Sequence, residues 1–193
     1  MKRCLLIAAL LLCSAAVYAD DGNPPSFYLE AGVGQDSADY NTYSQGSVNQ
    51  GVISGNTTAE SLIGGMGFNP NFAVELGYHD YGNPTLGQQT GQSVTQCPQA
   101  FSCPHLSAIT VELVGRLEIM TDLTGEVLGG VQAWSLGSPG SAAIGKSSGQ
   151  TTVFGLRIRH DFHDQFEGWS FDVTYEYSRF STAEARVGLR YTF

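Results

Sequence analysis

The stretch VGLRYTF, residues 187–193, decides the fold of this chain. Its large apolar side chains occupy every second position, at Val187, Leu189, Tyr191 and Phe193. Because successive side chains of a β-strand point to opposite faces, this spacing predicts a strand with one apolar face. Terminal segments fray unless a sheet holds them by hydrogen bonds, so we expect this strand to close a sheet onto the first strand of the chain.

Other segments of the chain show the same period of two, and none shows a sustained helical period. Most are long enough for a tilted strand to cross a bilayer, which takes about 9–11 residues. The predicted strands are residues 27–35, 61–68, 72–81, 109–119, 123–136, 152–162, 169–180 and 184–193.

The connections between these segments alternate in length. Long polar connections at 36–60, 82–108 and 137–151 alternate with shorter ones at 69–71, 120–122 and 163–168, although the fourth connection on the long side, at 181–183, is very short. Outer-membrane barrels sort their connections in this way, with long loops outside the cell and tight turns in the periplasm. The sequence therefore predicts an all-β fold, an eight-stranded antiparallel up-and-down transmembrane β-barrel.

The first residues have the pattern of a secretory signal peptide. Lys2 and Arg3 precede an apolar run at 5–16, and Val17, Tyr18 and Ala19 then form an A-x-A-like cleavage pattern. We expect a signal peptide at 1–19, cleavage between Ala19 and Asp20, export through the periplasm, and a barrel domain at 20–193.

The exported chain is strongly acidic. Residues 20–193 contain seven Lys and Arg against eighteen Asp and Glu, a net charge of −11. Such a chain repels nucleic acid, so we expect no nucleic-acid partner.

The charged face of the predicted strands has the composition of an enclosed surface. Its basic residues are all Arg, which pairs with carboxylates in two parallel hydrogen bonds, and Lys146 is the only lysine of residues 20–193. An eight-stranded barrel is only wide enough to be filled by side chains. We therefore predict a closed or nearly closed lumen, with lipid on the aliphatic face. The predicted interior charge network is Glu30, Glu75, Glu112, Arg116, Glu118, Glu126, Arg157, Arg159, Asp172, Glu176, Arg186 and Arg190.

FAVELGYHDYG (72–82) and ARVGLRYTF (185–193) resemble small outer-membrane barrels of the OmpA/OmpX and opacity-protein type. The resemblance covers essentially all of the chain after the signal peptide. It implies that Leu189, Tyr191 and Phe193 form a signal for the outer-membrane assembly machinery. Because the predicted barrel ends with the given sequence, we expect no peptidoglycan-binding domain.

Two cysteines lie in the second long connection. Cys97 and Cys103 are the only cysteines of the exported chain, and an even pair in an oxidising compartment predicts a disulfide. A zinc site that adds His105 to the two cysteines is the alternative, although it lacks a clear fourth ligand.

We expect a structural or adhesin-like monomer of a Gram-negative outer membrane, a surface antigen of the porin family, with no catalytic, cofactor or metal site. Its partners would be outer-membrane lipid, lipopolysaccharide, the assembly machinery and a host or surface ligand that the sequence does not identify. A narrow porin-like pore is the alternative. A lipid A-modifying enzyme is less favoured, because certain eight-stranded deacylases use a lipid-facing His with a Ser two positions later, and this chain has His160 followed by Phe162.

Overall fold

The computed structural model describes residues 25–42, 51–82, 86–88, 105–136, 148–162, 166–178 and 182–193. In this part of the chain no helix is both long and apolar enough to cross a membrane. The strands are β1 Ser26–Thr42, β2 Gly51–Asn69, β3 Phe72–Asp80, β4 Leu86–Gln88, β5 Leu106–Met120, β6 Leu123–Leu136, β7 Ser148–Asp161, β8 Trp169–Ser178 and β9 Thr182–Thr192.

The eight long strands form a closed antiparallel ring. They follow one another in the order β1-β2-β3-β5-β6-β7-β8-β9, and β9 pairs with β1 to close the ring. The last residue takes part in this closure, since the backbone N–H of Phe193 donates to the carbonyl of Phe27 at 2.8 Å. The predicted fold, an eight-stranded antiparallel β-barrel, is confirmed.

The strands β1 and β2 are longer than predicted. Residues 36–60 were expected to form a loop, yet the β1–β2 ladder continues as far as the pair Thr42–Gly51. β4, also within a predicted loop, pairs with the start of β2. The sequence signal fades there because outward side chains such as Gln35 and Thr58 are polar, whereas backbone hydrogen bonds continue regardless of side-chain polarity.

The two ends of the barrel differ. At one end, here named the turn end, short turns at 70–71 and 121–122 connect the strands, and a third turn, described at 162 and 166–168, joins β7 to β8. Gly168 in the last turn has φ of 84°, a conformation that a side chain would strain. The opposite end, where β1 joins β2, β3 joins β5, β6 joins β7 and β8 joins β9, is named the loop end.

The outward face of the barrel is apolar. Side chains such as Leu76, Leu156 and Val187 are exposed on it, in the predicted phase. Aromatic side chains lie on this face near both ends. At the turn end the rings of Trp169 and Tyr191 lie 5.0 Å apart. Exposed aromatic residues toward the loop end are Tyr78, Phe154 and Tyr177.

Two predictions fall on residues outside the described ranges. These are the signal peptide with its cleavage site at Ala19 and Asp20, and the disulfide between Cys97 and Cys103.

Candidate functional site: the charged lumen

Charged side chains fill the inside of the barrel. They come from strands around the whole ring, and small residues opposite them provide space. Gly65 is one such residue, because a Cβ there would overlap the ring of Tyr28. The buried charged or ionisable residues are Glu30, Asp36, Glu75, His79, Glu112, Glu126, Arg157, Asp172, Glu176, Glu184, Arg186 and Arg190.

Five of these residues form a central cluster, defined here as Glu30, Glu75, Glu126, Arg157 and Arg190. The guanidinium of Arg157 donates to both carboxylate oxygens of Glu75, with Nη1–Oε1 at 2.7 Å and Nη2–Oε2 at 3.0 Å. Its Nη1 also donates to Oε2 of Glu126 at 2.9 Å. Arg157 itself is 1% exposed. This cation is therefore held by carboxylates of two different strands.

Arg190 extends the central cluster to β1. Its Nη2 donates to Oε2 of Glu30 at 2.7 Å and to Oε1 of Glu75 at 3.2 Å. The guanidinium also lies over the ring of Tyr28, with Cζ 4.2 Å from the ring centroid. The Tyr28 hydroxyl donates to Oε1 of Glu75 at 2.7 Å. An aromatic ring thus packs among the charges and helps to fill the lumen.

The central cluster bridges the lumen from side to side. Its members come from β1, β3, β6, β7 and β9, and the ion pair of Glu75 with Arg157 joins strands three positions apart in the ring of eight. Toward the turn end, Arg116 and Arg159 both pair with Glu126. The interior there also contains an apolar cluster of Tyr28, Ala73, Val114 and Leu128.

A second group, the loop-end cluster, is defined as Asp36, His79, Glu176, Glu184 and Arg186. His79 Nδ1 lies 3.2 Å from Glu184 Oε2, which joins β3 to β9 across the lumen. Arg186 donates from Nη2 to Oε1 of Glu176 at 3.0 Å, and its Nη1 lies 3.5 Å from Oε1 of Glu184. His79, Glu176 and Glu184 offer three ligand atoms within 4.8 Å of one another.

The predicted network differs from the structure at Glu118. Most of the twelve predicted residues are buried in the lumen, Arg116 and Arg159 are half-buried, and Glu118 is exposed. The pairing of β3 with β5 stops at Phe72 and Gly115. Glu118 therefore lies beyond the end of β3, so β5 has no paired strand on its β3 side at this position.

Sequence reasoning missed three inward residues of this site. Asp36 continues the phase of Glu30 beyond the predicted end of the first strand, and Glu184 stands at the predicted start of the last strand. Tyr28 was overlooked because aromatic residues were expected on the lipid face. Extending the period of two by one residue beyond the first segment would have found Asp36, and Glu184 already stands in phase with Arg186 within the predicted last strand.

His160 lies outside the lumen. Its ring is exposed, Nδ1 lies 3.1 Å from the carbonyl oxygen of Asp122, and the ring contacts Phe162 edge-on at 5.6 Å. The residue two positions after His160 is thus an aromatic packing partner rather than a nucleophile.

Comparisons with known proteins agree with this architecture. A family model described as "Outer membrane protein beta-barrel domain" matches residues 5–193. No curated protein matches the chain. OprG from Pseudomonas aeruginosa is similar in structure with a TM-score of 0.61 at 11% identity, covering 87% of this chain and 95% of that chain.

Two further solved structures are similar at the same level. The N-terminal β-barrel domain of Pseudomonas aeruginosa OprF has a TM-score of 0.56 at 12% identity, covering 87% of this chain and 97% of that chain. Ail, the attachment invasion locus protein of Yersinia pestis, solved with the heparin analogue sucrose octasulfate, has a TM-score of 0.53 at 15% identity. That match covers 89% of this chain and 100% of Ail.

Proposed function

Because this chain belongs to the family of outer-membrane protein β-barrel domains, we propose that it is a closed scaffold that presents its loop end at the cell surface. The observation that carries this proposal is the central cluster. Arg157 on β7 and Arg190 on β9 both donate to Glu75 on β3, three positions away in the ring, so these hydrogen bonds cross the lumen. A barrel filled in this way supports loops rigidly but leaves no wide aqueous path.

Opening a path through the central cluster would require breaking buried ion pairs. Removing one partner of such a pair costs about 3–5 kcal/mol, because the other charge stays buried without compensation. Arg157 and Arg190 share Glu75, so moving either side chain disturbs both. Thermal fluctuations therefore rarely open the lumen, and the closed state dominates.

The apolar outward face is suited to contact with lipid, and the connections at the loop end are suited to contact with a surface ligand. The apolar side chains of the outward face would contact outer-membrane lipid and lipopolysaccharide, while the assembly machinery would insert the barrel. Ail was solved with a sulfated polyanion. This chain is net acidic and its connection at 82–108 contains no Lys or Arg, so we propose that its surface ligand is neutral or basic rather than polyanionic.

Recording from planar bilayers tests the closed lumen. We expect the folded wild-type protein to give no discrete conductance above the lipid background. A double variant, Glu75→Ala with Arg157→Ala, removes two cross-lumen side chains and should give measurable openings. Glu118→Ala is the control, because Glu118 is exposed at the turn end, outside the central cluster, and should leave the record silent. Reproducible wild-type conductance would contradict the scaffold proposal.

A narrow pore is the second candidate, favoured by buried carboxylates that lack a hydrogen-bond partner. Among the described residues, the oxygens of Asp36 and Glu112 have no hydrogen-bond partner. Such groups could line a cation path, and wild-type conductance that changes in Glu112→Gln would support it. We propose no enzymatic role, and altered lipid A in the mass spectrum of cells that overproduce the chain would contradict this.

A further inference from the structure

The loop-end cluster brings one imidazole and two carboxylates together from three strands. His79 lies on β3, Glu176 on β8 and Glu184 on β9, and their ligand atoms lie within 4.8 Å of one another. All three side chains are buried. β3 and β8 are four positions apart in the ring, so the cluster forms only when the barrel closes.

The imidazole of His79 is held in one orientation. Its Nε2 lies 3.2 Å from the hydroxyl oxygen of Thr110, and its ring stacks on Tyr81 with centroids 5.8 Å apart and an interplanar angle of 15°. A histidine that binds a metal through one nitrogen commonly donates its other N–H to such an oxygen. When Nε2–H donates to Thr110, the lone pair of Nδ1 faces Oε2 of Glu184. With this tautomer two acceptors face each other, and either a proton or a metal cation can bind between them.

The surrounding charges are predominantly negative. Asp36 is opposite Glu184 in the β1–β9 ladder and interacts electrostatically with Glu184 and His79. Its side chain is 0% exposed, and neither carboxylate oxygen has a hydrogen-bond partner among the described residues. Glu112 is also buried without a partner and interacts electrostatically with Glu176.

The loop-end cluster contains one permanently charged cation, Arg186. In the described part of the chain, Arg186 is the only Lys or Arg side chain that pairs with Glu176 or Glu184. Buried carboxylates in excess of their cations carry a large desolvation cost. A bound cation would remove much of that cost.

We propose that the loop-end cluster binds one divalent transition-metal ion through His79 Nδ1 and the carboxylates of Glu176 and Glu184, with Asp36 adding negative charge beside them. An imidazole with carboxylates suits zinc or manganese, whereas magnesium and calcium prefer oxygen ligands alone. Zinc bonds of about 2.0–2.2 Å place ligands roughly 3.4 Å apart. Small rotations of the two glutamate side chains would close the present spacing to that value.

Zinc retention by the full chain tests this proposal. The protein is folded into vesicles with zinc, washed with a weak chelator, and analysed for metal by mass spectrometry. We expect about one zinc ion per folded wild-type chain, with magnesium in excess unable to displace it. His79→Gln and Glu184→Gln should each lower zinc affinity by at least about tenfold. A folded wild-type chain that retains no zinc would overturn the proposal, leaving His79 and Glu184 as a proton-dependent ion pair.

His105→Gln is the matched control. His105 is exposed at the loop end, pairs with Asp80 at 3.2 Å, and lies outside the cluster. Zinc retained by His79→Gln but lost in His105→Gln would also overturn the proposal, since the ion would then belong to the connection that contains Cys97 and Cys103. Migration on an unboiled gel identifies which variants are folded, and Glu176→Gln replaces any that is not. Conductance plays no part in this readout, so a failed metal site leaves the scaffold proposal standing.

Discussion

At the scale of the residue, the interior of this barrel depends on arginine. Arg157 presents a planar fork that reaches both oxygens of Glu75 and one oxygen of Glu126. Its Nε also donates to the Thr174 hydroxyl at 2.9 Å. A lysine has a single ammonium group and could not satisfy these acceptors together. Loss of Arg157 would leave Glu75 with Arg190 as its remaining cation and would remove one of the cations that Glu126 shares.

Arg157→Met should lower the free energy of unfolding by about 3–5 kcal/mol, the usual effect of breaking a buried ion pair. Urea unfolding in lipid vesicles measures this change. Arg159→Met should lose less, because its partner Asp161 is 37% exposed and its other partner, Glu126, keeps Arg157 and Arg190. Equal losses of unfolding free energy in the two variants would show that the burial of Arg157 adds nothing to stability.

At the scale of the element, the two faces of one strand, β9, lie in different environments. On β9, Arg186 and Arg190 point into the lumen, while Val187 and Leu189 are exposed on the outward face. A shift of the register by one residue would place both arginines in lipid and the aliphatic side chains among charges. The register of β9 against β1 and β8 is therefore fixed, because the inward positions require charged side chains and the outward positions require apolar ones. The proposed assembly signal of Leu189, Tyr191 and Phe193 lies on the same outward face and stays a prediction.

Val187→Arg tests the lipid contact of β9. Val187 lies midway along the outward face, so an arginine there should cost about 2–4 kcal/mol, as charges do at the bilayer midplane. Ala183→Arg is the control on the same strand, because it lies toward the loop end and should cost about 0–1 kcal/mol. Both values come from reversible unfolding in vesicles. A similar cost at both positions would mean that the bilayer does not surround β9 as proposed.

At the scale of the whole molecule, closure of the ring is the decisive property. Pairing of β1 with β9 leaves the eight long strands without a free edge along the barrel, and the interior clusters join strands that are distant in sequence. His79 and Glu184, for example, are 105 residues apart. Such a structure unfolds as one unit, since opening the ring exposes backbone and buried charges at the same time.

The folded chain should migrate faster on an SDS gel unboiled than boiled, because the closed barrel resists the detergent. Gly65→Val should lose the fast band, since its side chain would overlap the ring of Tyr28 in the lumen. Gly64→Val is the control, because a Cβ there meets only Leu29 Cδ2 at 3.7 Å on the outward face. Loss of the fast band in both variants would point to strand propensity rather than interior space.

The sequence by itself determined the strands, their faces and the enclosed charge. A period of two shows that the two faces of a strand lie in different environments. A charged face with arginine and no lysine indicates that this face is enclosed in the barrel. These are local properties, so they can be read from neighbouring residues. The extension of the β1–β2 ladder was missed because outward residues such as Gln35, Ser37 and Thr58 are polar and carry no apolar period.

Only the tertiary structure decided which interior residues meet. The partners of Arg157 lie on β3 and β6, and His79 meets Glu176 and Glu184 from the far side of the ring. Those contacts depend on how far each strand is displaced along its neighbour, which also left Glu118 beyond the edge of β3. Displacements accumulate around a closed ring, so they are a property of all eight strands together and of no single segment.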